Sequence, residues 1–176
     1  SRPASGVYVQ YYKLLRYGIK GYQECCDSMM NYAKVIRQHL KTMTYRGKPR
    51  FVMLDNGDSQ CLPVVTAMLN PECDMGFDDI DLQHVLSQHR WYVSAYRMSF
   101  NHPLTEENTP LFSDRQPNQT MFRVVIKSNL TMSMVNHLLD SFDEALSFLD
   151  SIDWNQSNKV DTQRLRTRDQ RSTNHC

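Results

Sequence analysis

A single cation interrupts an apolar run in residues 119–129, QTMFRVVIKSN. Met121, Phe122, Val124, Val125 and Ile126 are bulky, aromatic or β-branched, so the run predicts a mostly buried strand with Arg123 inside it. Burying a guanidinium without a partner costs several kcal/mol, so its head must reach water, a carboxylate of the chain or an anionic ligand. Arginine stays charged at any working pH, and its planar fork pairs a carboxylate through two parallel hydrogen bonds. The chemistry to expect at Arg123 is therefore carboxylate recognition. The structural alternative is an edge-strand position paired with one of the chain's own acids.

Other reactive side chains are less organised. Cys25, Cys26, Cys61, Cys73 and Cys176 are odd in number and contain no CxxC, which is neither a disulfide framework nor a zinc site and predicts a reducing, cytoplasmic compartment. His39, His84, His89, His102 and His137 lack metal-ligand or nucleophile spacing, so packing or surface roles are expected and no metal is. Sequons at Asn118, Asn129 and Asn155 read as chance matches in the absence of a secretory signal.

The 176 residues suffice for one domain, or one domain plus an arm, and the net charge of +1 gives no electrostatic case for nucleic acid or an anionic membrane. No apolar run approaches the roughly 20 residues that span a bilayer, so a soluble protein is expected. The missing initiator Met predicts a piece of a longer chain.

The elements that would position Arg123 can be read in order. Residues 7–43 have helical periodicity, with Val7, Tyr11, Leu14, Leu15, Tyr22, Cys25, Met29, Tyr32, Ala33, Ile36 and Leu40 on the apolar side. Gly18 and Gly21 predict a bend around residues 17–22, with close packing as the alternative explanation of the glycines. After a basic turn, residues 51–54 and 62–69 read as strands flanking an Asn56-Gly57 turn, and Asn70-Pro71 ends the second. Residues 78–88 form a helix with an acidic start, and 91–98 a third strand. The polar, proline-bearing stretch 101–117 reads as an exposed loop. A closing helix begins at Thr131 or Ser133 and carries the stripe Val135, Leu138, Leu139, Phe142, Ala145, Leu146 and Leu149. This order predicts an α+β layer, a small antiparallel or mixed sheet with helices on one face. Lys159, Arg164, Arg166, Arg168 and Arg171 mark a basic, disordered tail over 151–176.

Four stretches carry a family resemblance: SRPA with QYYKLLRYGIKGY, then LPVVTAML, RWYVSAYRM, and MFRVVI with its following helix. Together they resemble the C-terminal part of the group II pyridoxal-phosphate-dependent decarboxylases, the glutamate decarboxylases most closely, over residues 1–150. The tail and residues 101–117 are not covered. The resemblance implies the small C-terminal domain of a fold-type I, aminotransferase-like enzyme: a helical segment over 1–45 leading from a large cofactor domain, and an α+β domain over 46–150. It further implies a homo-oligomer with active sites at the subunit interface, pyridoxal 5'-phosphate as cofactor, and conversion of L-glutamate to 4-aminobutanoate and carbon dioxide. The alternatives are another group II decarboxylase or lyase, or a non-catalytic α+β binding module.

By the same resemblance, Arg123 matches the arginine that holds the substrate's α-carboxylate. Ser1 matches a serine reaching the cofactor phosphate of the neighbouring subunit, and His175 a tail histidine of bacterial members that closes over the cofactor. Trp154 and the tail arginines are similar to the calmodulin-binding segment of plant members, but without its paired apolar anchors, so calmodulin is not expected. The family's cofactor lysine follows a histidine, and none of the seven lysines here does. No catalytic residue is therefore expected within this chain, which alone should be inactive.

Overall fold

Side chains alternate between the two sides of a strand, and in this molecule that alternation separates a helix-covered face from an open one. The computed structural model describes residues 3–55, 57, 62–101, 108–110 and 119–154. Its central sheet contains β3 (Phe51–Met53), β4 (Val64–Leu69), β5 (Ser94–Arg97) and β8 (Thr120–Val125), in the order β3-β4-β8-β5 with every pair antiparallel. Phe51, Val65, Ala67, Leu69, Phe122, Val124 and Ile126 turn to one side and join the main core. There they meet α1 (Ser5–Thr42), α2 (Asp79–Gln88) and α3 (Met132–Ser151). The class is α+β, with the principal elements in the order the sequence predicts.

Each helix has a local cause. In α3 the whole expected stripe from Val135 to Leu149 is buried, and the Thr131 hydroxyl caps the helix by accepting from the Met134 amide at 3.3 Å. At the start of α2 the Asp78 carboxylate accepts from the amides of Ile80 and Asp81, while the Asp81 carboxylate accepts from the Asp78 amide, a reciprocal cap. In α1 the chain leaves helical geometry at Gly18, where φ is +57° and ψ is −171°. Only glycine adopts that combination readily. Apart from its chain neighbours and the helix's own backbone, no atom lies within 4 Å of where a Gly18 Cβ would sit, so the bend follows from backbone conformation and not from close packing against another segment. Beyond the bend, Ala33, Ile36 and Leu40 are fully buried; before it, the large apolar side chains are exposed.

The basic turn after α1 is a miniature hairpin of β1 (Thr44–Tyr45) and β2 (Lys48–Pro49), with positive φ at Arg46 and Gly47 as a two-residue turn demands. The stretch expected to be a loop over 101–117 differs in part. Its first residue closes β6 (Ser99–Asn101), which pairs with β7 (Asn108–Pro110), so a second hairpin extends from β5. The rest of that loop, and the tail from 155 onward, lie outside the described residues.

Candidate functional site

The open face of the sheet is built from the residues that alternate with the core. Met68, Met98 and Met121 form a small apolar cluster there, with Val52, Leu54 and Tyr96 packed against it. Beside it runs a polar row across three strands: Arg123 of β8 lies opposite Thr66 of β4 on one side and Ser94 of β5 on the other. The Arg123 guanidinium carbon stands 5.6 Å from the centroid of the Tyr96 ring, within cation–π range. Among the described residues no carboxylate pairs with Arg123, and neither the Thr66 nor the Ser94 hydroxyl has a hydrogen-bond partner.

Two expectations about Arg123 need correction. Its strand is interior to the sheet and not an edge, and the side chain is exposed, not buried. The continuous apolar run suggested burial on both sides. In the fold only the side bearing Phe122, Val124 and Ile126 faces the helices; Met121 enters the methionine cluster, and Val125 is 50% exposed.

The buried cations lie elsewhere, each held by an acid of the chain itself. The Arg37 Nε donates to Asp55 Oδ1 at 2.6 Å, and Asp55 Oδ2 accepts from the Thr66 amide at 2.8 Å. Arg50, just before β3, pairs with Asp150 near the end of α3. Sequence reasoning missed both, although Arg37 sits squarely in the stripe Ala33, Ile36, Leu40 and so carried the signal of a cation on an apolar face. Asp79 was missed as well. Its buried carboxylate accepts from the Leu69 amide at 2.9 Å and the Thr120 hydroxyl at 2.7 Å, and burial pushes its pKa up to about 6 against those bonds.

The histidines serve the helix layer. His39 faces Asp143 and His89 faces Glu144, both at 3.4 Å, joining α1 and α2 to α3, and the His137 ring lies 5.7 Å from Trp91. Among the described residues no group of His, Cys, Asp or Glu is arranged to hold a metal ion, and no helix is long and apolar enough to cross a membrane. Ser1, His102 and His175 lie outside the described residues.

No family model matches the chain. Glutamate decarboxylase 3 of Arabidopsis thaliana is 27% identical over 152 residues, covering 86% of this chain and 26% of that protein. A probable glutamate decarboxylase gamma of Listeria innocua is 31% identical over 96 residues, 54% of this chain and 19% of that protein. Among solved structures, a Lactobacillus brevis glutamate decarboxylase superposes with a TM-score of 0.68 at 23% identity, over 86% of this chain and 30% of that one. The chain resembles the C-terminal part of a glutamate decarboxylase. Its fold is that of the matched part of that Lactobacillus brevis glutamate decarboxylase, and the chain spans about a quarter of the curated relatives' length or less.

Pyridoxal phosphate needs a lysine whose amine can react, which a desolvated pocket provides. Lys13, Lys20, Lys34, Lys41, Lys48 and Lys127 are all exposed. The described residues of this glutamate-decarboxylase-like chain therefore do not by themselves fit the cofactor's covalent anchor. What they offer is a guanidinium flanked by two hydroxyls on an open sheet face.

Proposed function

We propose that this chain is the C-terminal part of a cytoplasmic, homo-oligomeric, pyridoxal-phosphate-dependent enzyme that converts L-glutamate to 4-aminobutanoate and carbon dioxide, and that Arg123 holds the substrate's α-carboxylate. The observation that carries the reading is an arginine in an interior strand, exposed, with no acid of its own among the described residues. The two buried arginines have such acids. Similarity to glutamate decarboxylases supports the same assignment. In it, residues 1–45 lead from a large cofactor domain, 46–150 form the small domain and 151–176 a basic tail.

Carboxylate charge disappears as carbon dioxide leaves, so an ion pair to it stabilises the ground state more than the transition state. Arg123 therefore contributes through orientation and selection, by fixing the direction of the bond that breaks. The cofactor, held by residues outside this chain, would accept the electron pair released. At the ends of the chain, Ser1 would meet the cofactor phosphate of the neighbouring subunit and His175 would close over the site. Alone, the chain is inactive in this reading.

The test is Arg123→Lys in the complete enzyme. A point charge cannot reproduce the two-toothed fork, and kcat/KM for L-glutamate should fall by about 100-fold or more. Near-normal turnover removes Arg123 from the site.

A further inference from the structure

An exposed arginine on a flat sheet samples many rotamers, and ordering it when a ligand arrives weakens binding. The decarboxylase-like chain contains a device against that cost. Ser94 lies directly opposite Arg123, and Tyr96 is two residues further along β5, the diagonal neighbour that only an aromatic or a long side chain can reach across a strand pair. The Tyr96 ring is not loose: it packs on the cluster of Met68, Met98 and Met121, which are at most 7% exposed. Methionine makes favourable edge contacts with aromatic rings and fills irregular space around them. The ring is thus held by the methionine cluster and meets the guanidinium carbon at 5.6 Å from its centroid.

One end of the polar row is fixed as well. Thr66 is held by its amide's bond to Asp55, which is itself locked to buried Arg37. Its hydroxyl and that of Ser94 are both available beside the guanidinium. We infer that Tyr96 is the positioning residue for Arg123, and that Thr66, Arg123 and Ser94 form a pre-ordered carboxylate-binding row whose cation is aimed by the Tyr96 ring. This rests on the proposed role of Arg123 and adds to it the reason an exposed arginine selects one geometry. Tyr96 acts through Arg123 and need not touch the substrate.

The experiment uses the full-length enzyme and glutarate, a dicarboxylate without the amino group, titrated calorimetrically so that binding is read apart from turnover. Tyr96→Phe keeps the ring and should bind glutarate as the parent does. Tyr96→Met, which suits the methionine bed, and Tyr96→Leu should each weaken binding by about two- to fivefold, the contribution of a partly exposed cation–π contact. In an Arg123→Gln background the same substitutions should add no further loss, because the coupling belongs to the pair. The inference is overturned if Tyr96→Met and Tyr96→Leu bind like the parent, or if their losses persist undiminished in the Arg123→Gln background. A third result is separate: Arg123→Gln binding glutarate as tightly as the parent would refute the carboxylate role itself, and the positioning role with it.

Discussion

A buried charge is tolerated only when its partner is fixed, and Asp55 shows what that requires. One oxygen takes the Arg37 Nε and the other the Thr66 amide, so a single carboxylate ties α1 to β4. Asp55→Ala leaves a guanidinium and a backbone amide without partners in a part-buried place, and should lower the unfolding free energy by about 3–5 kcal/mol in urea titrations. The exposed Lys48–Glu72 pair, at 3.7 Å, is the internal contrast: Glu72→Ala should change stability by less than about 1 kcal/mol. Asp79 has the opposite balance, because burial outweighs its two hydrogen bonds and lifts its pKa from 3.8 to about 6 in the fold. The folded state therefore binds the proton more tightly than the unfolded one. The stability this confers is complete below pH 3.8 and is lost as pH rises through about 6. Asp79→Asn keeps an oxygen for the Leu69 amide without the charge. It should flatten the pH dependence of the urea midpoint across that window, where the parent should show a fall.

At the scale of elements, the bend in α1 is the feature most open to test. Gly18 has a backbone conformation that costs any other residue of order 1–3 kcal/mol, and nothing crowds its missing side chain. Gly18→Ala should therefore relax toward a continuous helix instead of unfolding the core, and far-UV circular dichroism of the chain should show increased helicity with the same thermal midpoint. The bend was legible because glycine in a helical pattern is a local signal. The same holds for α3, whose stripe and Thr131 cap are written within a few residues of one another. The strand β8 was harder. Six consecutive residues, MFRVVI, satisfy the pattern of two-sided burial, but which side is covered depends on where α1, α2 and α3 pack. Met121 owes its burial to methionines brought from β4 and from just after β5, and no local pattern announces that meeting. For the same reason Arg123 was found as a residue, while its setting, with Tyr96, Thr66 and Ser94 around it, needed three strands in register.

The whole molecule is asymmetric in its use of apolar surface. Before the bend, Val7, Tyr8, Val9, Tyr11, Tyr12, Leu14, Leu15 and Tyr17 are all at least half exposed, and just beyond it Ile19 is 89% exposed. So many large apolar side chains left exposed on half a helix mark a surface suited to association. The matched relatives are about four times longer than the part this chain covers, so surface of that extent is consistent with contacts made by the rest of such a protein. Alone, the chain carries that surface uncovered. Its core, from Ala33 to Leu149, closes without the first half of α1, so the chain should fold and then associate through that half. Sedimentation velocity of residues 1–176 should show species heavier than a monomer, growing with concentration. Leu15→Lys with Ile19→Lys places two charges on the exposed surface and touches nothing in the core. The doubly substituted chain should sediment closer to a monomer, with its unfolding free energy in urea titrations within about 0.5 kcal/mol of the parent, as surface changes usually are. Unchanged association would mean that copies meet elsewhere than at Leu15 and Ile19.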